Sequence, residues 1–517
     1  MSASIITTKG SSTEKGKHAP TLRWSGIVMW SVLAILLALA IWMRSIGLSL
    51  PFDRDGYDEG VYWQSLMAMR AGYTLYGQIF YSQPPFFLLS TYPLYILLGG
   101  SLWSARLSIA LVSLVGLPGA FLLGKALKGR LGAVLATLLV VADPLYLSLS
   151  QKIEAEVSSA AFSLLAVGAA YLWWESSEGT VSLVLAVLCG IALPLGILCK
   201  LLSLTSLVPV GLLLVARLWQ YWQKKPGITM RSLQAILLAI ATSIVVTLLV
   251  FFPYFGSLFS MLREVVSFHT HARTALINER VHNGAIFQTF FTATLPLTIA
   301  AVYGFVAACM RRDWRILPLA AWLLVTMYML WLEAPLFNRH FIALIPPLIG
   351  MAILGLGDSV SLKQFFARFT LSNVMTALAI ILMLTVIALD IPTYQPYYRA
   401  AAQQGSVSAT ASQMHIANDL RNAITPEQLV ITDGQFIAAL ADRDTPPSLV
   451  DTSMVRIASG YLTQQQLITV ASQPNVHAVL FYNTRLRMSQ VAGFYSWVTQ
   501  HFHLKYRYGS QQELWLR

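Results

Sequence analysis

An unusual concentration of acidic residues lies between Asp53 and Tyr62 of this otherwise apolar chain of 517 residues. Four acids fall within seven residues there, and the last two, Asp58 and Glu59, are adjacent. Ionised carboxylates are costly in hydrocarbon, so this segment must emerge at one membrane surface. An acidic pair held there could remove a proton from an acceptor hydroxyl or amine, or hold a divalent cation for a phosphate. The same pair could cap a short helix, and the two roles are compatible.

A second group of charged residues is set among apolar helices. Lys200 separates two apolar runs, so its ammonium group needs an anionic partner, such as a lipid phosphate, or a route to the headgroups. Glu154 and Glu156 open an apolar helix, where acids also favour the positive end of the helix dipole. The charge pattern described below places these residues on one membrane face, together with Asp55, Asp58, Glu59, Lys152, Arg273, Arg280 and Arg339.

The composition predicts a polytopic membrane protein. Hydrophobic residues make up 56% of the chain and charged residues only 11%, whereas soluble domains carry about 25% charged residues. Repeated apolar runs of about 18–23 residues are long enough to cross a bilayer. The net charge of +12 does not indicate a nucleic-acid partner, because the basic residues lie in short segments between apolar runs, as membrane orientation requires.

Charge also predicts the topology. Residues 1–24 form a basic tail expected in the cytoplasm, and the apolar run that follows is too long for a cleaved signal peptide. The run 86–100 is interpreted as a re-entrant or juxtamembrane helix, because a crossing there would put Lys125–Arg130 outside. A short interfacial helix is expected over 58–70, ended by Gly72, and a long outer loop over 253–288. The resulting model has about eleven transmembrane helices, at 26–43, 103–124, 131–149, 157–174, 180–199, 201–217, 232–252, 289–310, 316–332, 341–357 and 371–389.

From residue 391 to residue 517 the pattern changes to alternating strands and helices. Leu429–Thr432 and Ala478–Tyr482 are predicted to be buried strands, with polar helices over 409–423, 463–472 and 488–500. This alternation predicts a small α/β domain, which lies outside the cell if the chain crosses the membrane eleven times. Asp433, Arg443 and Asp451 are interpreted there as turn and loop residues rather than ligands.

The motifs that the sequence lacks narrow its chemistry. The chain contains no phosphate-binding glycine loop, nucleophile elbow or His-Glu-x-x-His pattern, which argues against an ATP-driven pump and against a soluble nucleotide-sugar enzyme. His269, His271 and His282 raise the question of zinc, but no cysteine accompanies them and no fourth ligand is evident, so we predict no metal site. The three cysteines all fall within apolar segments and do not indicate a compartment.

Four short motifs stand out along the chain. They are Asp58-Glu59-Gly-Val-Tyr62, Tyr81-x-Gln83-Pro84-Pro85, Ala105-Arg106-Leu107 and Asp143-Pro144-Leu145. These motifs resemble those of the GT-C glycosyltransferases, in particular the branch that contains the protein O-mannosyltransferases and the lipid A aminoarabinose transferase. The resemblance covers about residues 25–390, which it implies form a transmembrane catalytic domain.

The resemblance implies an inverting transfer of a sugar from a polyprenyl-phosphate donor to an acceptor at the outer face. It makes Asp58 the base, beside Glu59, and it assigns the donor phosphate to Lys200 and Arg339, with Arg273 and Arg280 as further candidates. The second acidic position of the family corresponds to Glu156, with Glu154 as a rival and Lys152 beside them. Gln151 stands where the family has an arginine, which leaves the role of this second loop open. The substrate pocket is expected to contain Tyr62, Tyr81, Gln83 and His340.

We therefore expect a glycosyltransferase in the plasma (inner) membrane, with a lipid-linked sugar donor and a protein, lipid or glycan as acceptor. No cofactor is specified, although the acidic residues could hold a divalent cation. The alternative is a glycolipid transporter or flippase, but transporters show inverted repeats and helices broken at mid-membrane, whereas the unusual residues here gather on one face. A sensor would leave the acidic loops unexplained.

Overall fold

The computed structural model describes residues 21–49, 56–176, 179–225, 229–357, 371–396, 399 and 408–517. Most of the predicted basic tail, the acidic residues Asp53 and Asp55, and the predicted inner segment with Lys363 and Arg368 lie outside the described residues. The described part of the chain is mainly helical, and a small sheet lies near its C-terminus.

The helices follow the apolar runs of the sequence, often joined by short 3₁₀ segments. They are α1 (Thr21–Ser45), α2 (Tyr57–Arg70), α3 (Phe86–Leu97), α4 (Leu102–Ser113), α5 (Gly116–Ala142), α6 (Pro144–Leu149), α7 (Ala155–Glu175), α8 (Thr180–Cys199), α9 (Leu207–Trp222), α10 (Met230–Phe251), α11 (Leu258–Leu262), α12 (Phe268–Ala275), α13 (Asn283–Ala293), α14 (Leu295–Met310), α15 (Ile316–Leu332), α16 (Ile345–Leu354), α17 (Leu371–Asp390), α18 (Ser408–Ala423), α19 (Gln435–Leu440), α20 (Met454–Ala458), α21 (Gln464–Ala471) and α22 (Ala492–His501).

Seven of the described helical segments are long and apolar enough to cross a membrane, or eight if the bent pair α13 and α14 counts as one crossing. The predicted number of about eleven is not confirmed by this criterion. One of the seven, Leu102–Ala142, reverses direction within α5, where Lys128 and Gly129 have non-helical backbone angles. A Cβ atom on Gly124 would lie 2.2 Å from the carbonyl oxygen of Gly132, so the two arms of α5 pack side by side as a hairpin.

Helix α7 is the centre of the membrane part, and nearly all of its residues are buried. Its sequence is rich in Ala, Ser and Gly, and small side chains let neighbouring helices approach closely. A Cβ atom on Gly168 of α7 would lie 2.3 Å from the carbonyl oxygen of Gly119 in α5. This close packing fixes the N-terminus of α7, and with it Glu154 and Glu156.

The segment around the first acidic loop has the predicted helical form. The helix expected over 58–70 is confirmed as α2, and its place at a membrane interface stays a prediction. Gly72 follows it with a φ of 91°, a conformation that favours glycine. The expected outer loop over 253–288, in contrast, is largely helical. The reason is visible in its sequence, since Tyr254, Met261, Val265 and Phe268 recur at helical spacing and all are buried.

The C-terminal segment contains a four-stranded sheet in the order β1-β2-β4-β3. Its strands are β1 (Leu429–Thr432), β2 (Val476–Phe481), β3 (His503–Arg507) and β4 (Glu513–Leu516). The two predicted strands, β1 and β2, form its parallel pair, and β4 pairs antiparallel with both β2 and β3. Strands β3 and β4 were not predicted, because β3 is a polar edge strand with every side chain exposed.

One face of α2 carries this C-terminal segment. A Cβ atom on Gly60 would lie 2.2 Å from the backbone nitrogen of Phe436, so α19 contacts the backbone of α2 directly. Gln64 accepts from the backbone N–H of Thr445 at 3.1 Å and donates to the carbonyl of Arg443 at 2.9 Å. These contacts fix the position of the C-terminal segment on α2.

We predict that Gly60→Ala loosens this contact, because the added methyl group must displace the backbone of α19. Overpacking of this kind costs about 1–3 kcal/mol. Thermal unfolding of the detergent-purified protein should therefore show a lower midpoint. Gly211→Ala in α9 is the matched control, since its Cβ atom would meet nothing within 4 Å; an equal loss in both variants would contradict the close contact.

Candidate active site

A cavity of about 940 Å³ lies between the membrane helices and the C-terminal segment. Its lining includes residues of α2, of the turn before α3, and of the segments just before α7 and just after α8. The segments 265–273 and 329–340 and the loops after β1 and β2 complete it. The residues predicted from the sequence that line it are Asp58, Glu59, Tyr62, Tyr81, Gln83, Glu154, Lys200, Arg273, Arg339 and His340. Glu156, Lys152 and Arg280 are not among its described lining residues.

Arg339 connects the two acidic loops. Its Nη2 atom contacts Oδ2 of Asp58, and its Nε atom lies 3.0 Å from Oε1 of Glu156 and 3.9 Å from Oε2 of Glu154. The guanidinium also stacks 4.5 Å from the ring centre of Phe337. Three carboxylates from separate parts of the chain therefore converge on one cation.

Lys200 reaches the same group from the other side. Helix α8 ends at Cys199, and Lys200 adopts an extended backbone before a 3₁₀ turn begins. Its Nζ atom lies 2.5 Å from Oε1 of Glu156, and Nε2 of His340 lies 3.8 Å from that oxygen. The anionic partner that the sequence required for Lys200 is thus Glu156, directly below the cavity.

Glu59 differs from the expected second member of a catalytic pair. Its carboxylate accepts hydrogen bonds from Nε and Nη2 of Arg106, at 2.7 and 2.6 Å, and from the backbone N–H of Ile153 at 3.0 Å. Glu59 is 2% exposed and Arg106 is fully buried. Because these bonds use both carboxylate oxygens, Glu59 joins α2 to α4 and to the second acidic loop, and Asp58 alone of the pair faces the charged cluster. The arginine of the Ala-Arg-Leu motif is the counter-ion of this glutamate.

Glu154 lines the cavity in an environment that disfavours its charge. The residue is 5% exposed, and its Oε2 atom has no hydrogen-bond partner among the described residues. Burial raises the pKa of Glu154 well above its usual range, although Arg339 opposes the shift; the neighbouring Glu156 raises it further. This shift favours the protonated form of Glu154.

Two tyrosines form the inner wall of the cavity. The ring of Tyr62 packs edge-on against Tyr81 and Phe87, at centroid distances of 6.3 and 4.9 Å. Burial raises the pKa of both tyrosine hydroxyls, so they remain neutral donors. The backbone of Gln83 accepts a hydrogen bond from Tyr76 at 2.7 Å, which orders the turn before α3.

The two further arginines are used differently from the expectation. Arg273 lines the cavity but is ion-paired with Glu333, its Nε atom 3.3 Å from Oε2. Arg280 donates at 2.8 Å to the carbonyl of Leu332 at the end of α15. The 3₁₀ turn that carries Arg280 folds back onto that helix end, where a cation satisfies terminal carbonyls. The structure therefore does not bring Arg280 to the cavity.

The C-terminal segment contributes a wall that the sequence did not reveal. It brings Asn483, Thr484 and Arg485 to the cavity from the loop after β2, and Asp451 and Ser453 from the connection after β1. Asp433 accepts backbone bonds from Tyr482 and Asn483 at 2.7 and 3.0 Å, so it has the expected loop role and joins the carboxyl ends of the two parallel strands. Arg443 likewise binds backbone carbonyls.

Asp451 departs from the expectation of a simple turn residue. It accepts a bond from the hydroxyl of Tyr57 at 3.1 Å, and it lines the cavity. The only sequence signal for these loops was their position after the carboxyl ends of parallel strands, where ligands bind in open α/β sheets.

Two of the three histidines considered for zinc contact backbone carbonyl groups. Nε2 of His269 lies 2.9 Å from the carbonyl of Ser82, and Nδ1 of His271 lies 2.7 Å from that of Ser267. Within the described residues, no group of three or more His, Cys, Asp or Glu side chains is arranged to hold a metal ion.

Comparisons with known proteins agree with this architecture. The family model of dolichyl-phosphate-mannose-protein mannosyltransferase matches residues 73–262. The structure of ArnT from Cupriavidus metallidurans bound to undecaprenyl phosphate superimposes with a TM-score of 0.57 and 16% identity, over 96% of this chain and 98% of that one. The apo oligosaccharyltransferase of Archaeoglobus fulgidus gives a TM-score of 0.50 and 16% identity, over 91% of this chain and 71% of that one. A search of curated protein sequences finds no match.

These findings confirm the resemblance to the GT-C glycosyltransferases. The family model covers part of the membrane region, and the ArnT fold extends over nearly the whole chain, including the C-terminal segment. At such low identity the structural likeness establishes the fold, whereas the reaction has to be argued from the site.

We predict that Arg106→Met destabilises the protein strongly, by about 3–5 kcal/mol, because it leaves the Glu59 carboxylate buried without its counter-ion. The double variant Glu59→Leu/Arg106→Met should recover part of that loss. Thermal unfolding of the wild type, Glu59→Leu, Arg106→Met and the double variant in detergent measures the coupling between the two sites. Additive losses in the double variant would contradict the structural role given to Glu59.

Proposed function

We propose that this protein is a membrane glycosyltransferase that moves a sugar from a polyprenyl-phosphate donor to an acceptor, with inversion at the anomeric carbon and Asp58 as the base. The observation that carries the proposal is the convergence of Asp58, Arg339 and Lys200 at one cavity. A carboxylate for the acceptor and cations for the donor phosphate are the groups that such a transfer needs. ArnT, which shares the fold, binds undecaprenyl phosphate.

The geometry supports a direct displacement. The acceptor oxygen or nitrogen attacks the anomeric carbon, Asp58 takes the acceptor proton, and the bond between that carbon and the phosphate oxygen breaks. Negative charge then grows on the phosphate, and Arg339 and Lys200 stabilise it. Because Asp58 contacts Arg339, the base and the phosphate-binding cation lie side by side, which brings the two reactants together.

The membrane side of the cavity suits a prenyl chain. Leu201, Leu202, Leu204 and Met329 belong to its lining, directly beside Lys200 and the segment that carries Arg339. A lipid-linked donor needs a site that is apolar along its length and cationic where the phosphate lies, and these residues provide both features. The acceptor would then enter from the C-terminal wall, beside Asn483, Thr484 and Arg485.

We extend the proposal to the topology. The hairpin within α5, the bent pair α13 and α14, and the 17-residue helices Ile316–Leu332 and Asn338–Leu354 would bring the number of crossings from seven to about eleven. Residues 1–24 would then form a cytoplasmic tail, 25–390 the catalytic membrane domain, and 391–517 a domain outside the plasma (inner) membrane. The acceptor would be a protein, lipid or glycan at that outer face.

A transporter or flippase is the second candidate function. The bend of 83° between α13 and α14 is the feature that favours it, since transporters use broken helices at their substrate sites. However, no described residue of α13 or α14 lines the cavity that holds the charged cluster. The enzyme therefore accounts for more of the structure.

We predict that Asp58→Asn lowers sugar transfer by about 10²–10⁴-fold, the range expected for loss of a general base. The assay is transfer of radiolabel from a lipid-linked sugar to acceptor by the purified protein in detergent or vesicles. A mere transporter would move the labelled lipid across the vesicle membrane but form no labelled product.

The thermal unfolding midpoint of Asp58→Asn serves as the control, because asparagine has the same shape and can still accept a bond from Arg339. A variant with near-normal transfer would exclude Asp58 as the base. Absence of transfer by the wild-type protein, with lipid movement preserved, would favour the flippase.

A further inference from the structure

The Glu154 carboxyl is a cavity-lining group that the reaction above does not use. Its side chain is buried, its Oε2 atom has no hydrogen-bond partner among the described residues, and Nε of Arg339 lies 3.9 Å away, beyond hydrogen-bond reach. A buried polar atom without a partner costs about 1–3 kcal/mol. The Glu154 side chain also lines the cavity, which makes a ligand bound there the candidate partner for this carboxyl group.

Glu156, two residues further on, is in the opposite situation. Its Oε1 atom is already shared by Lys200, Arg339 and His340, and the residue is 2% exposed. It lines only a small void beneath the cavity, next to Ser159 and Ser203. The two acids of the second loop therefore have different environments, although the sequence presents them as equivalent rivals.

The charge state of Glu154 follows from the groups that face it. Burial raises its pKa most, and Glu156 of α7 and Asp58 of α2 raise it further, whereas Arg339 and Lys152 lower it. The net shift is upward, which favours the protonated form of the carboxyl group, and that form can donate a hydrogen bond.

We propose that Glu154 is a second catalytic carboxyl, which donates a hydrogen bond to a phosphate oxygen of the lipid-linked donor beside Arg339. Glu156, in contrast, is a positioning residue that acts only through Lys200, Arg339 and His340. This inference rests on the proposed function, since it assumes that the donor phosphate occupies the cavity. The anionic oxygens of a phosphate accept hydrogen bonds, so a neutral acid attracts the group where a carboxylate would repel it. Glu154 keeps its proton throughout the transfer, and Asp58 takes the proton of the acceptor.

The assignment predicts a pH dependence of phosphate binding. The protonated form of Glu154 binds the phosphate, so affinity is complete below the pKa of the free protein. Above that pKa the affinity falls by about tenfold for each pH unit, until the pKa of the complex is reached. Glu154→Gln is permanently neutral and keeps an N–H donor at the same place, so it should bind without this alkaline loss.

The experiment measures binding of undecaprenyl phosphate to the full-length protein in detergent, from about pH 6.5 to about pH 9.5. Near neutral pH we expect Glu154→Gln to bind within about threefold of the wild type, and Glu154→Ala to bind about tenfold more weakly. At the alkaline end the wild type should lose affinity much more than Glu154→Gln does. The matched control is Glu264→Gln. Glu264 is another buried carboxyl, which accepts a hydrogen bond from the Tyr81 N–H at 2.9 Å but does not line the described cavity. The control variant should keep the alkaline loss of affinity of the wild type.

Equal alkaline losses in the wild type and Glu154→Gln, or a loss abolished by Glu264→Gln, would overturn the assignment. Tighter binding of the probe to the wild type as pH rises, above the range in which the phosphate itself loses its second proton, would also overturn it, because an ionised Glu154 should repel the phosphate. Glu154→Asp retains an acid and should retain an alkaline loss, which keeps the test valid if Glu154→Gln folds poorly. The binding assay is independent of sugar transfer, so near-normal transfer by Asp58→Asn would exclude Asp58 as the base without deciding whether Glu154 binds the phosphate. Absence of transfer by the wild type would reject the enzyme, and with it a catalytic role of Glu154, even if the binding results were as expected.

Discussion

The charge pairing of Arg339 is the constraint on which the rest of the site depends. A largely buried guanidinium must be paired, and here Asp58 comes from α2 while Glu154 and Glu156 come from the N-terminus of α7. Two buried ion pairs hold these elements in register, Glu59 with Arg106 and Glu156 with Lys200. The cluster is close to neutral when Glu154 is protonated, so it can accept an anionic phosphate without first losing a partner.

Much of the fold could be predicted from the sequence, because the bilayer imposes length and charge rules on apolar helices. The interfacial helix α2 and the parallel strands β1 and β2 were predicted close to their actual bounds. The number of membrane crossings was harder to predict, because a hairpin such as the one within α5 depends on packing between helices. The helical character of 253–288 was missed, although its apolar spacing indicated it.

For the site, the sequence predicted which charges would share a surface but not how they would pair. Nothing in the adjacent Asp58 and Glu59 shows that one faces the cavity and the other a buried arginine. Glu154 and Glu156 lie at the start of α7 but have different surroundings. Glu154 lines the cavity, whereas Glu156 contacts Lys200. The C-terminal wall depends on the contact between Gly60 and Phe436, for which a single sequence gives no signal.

The cavity is built from two distant stretches of chain, and this has an evolutionary consequence. The membrane helices supply the acidic and basic cluster, whereas the loops after β1 and β2 supply the opposite side. Under the proposed function, substitutions in those loops would change the acceptor side of the cavity, while the membrane helices would keep the site for the carrier lipid. Such modularity would allow one membrane scaffold to diversify among many targets.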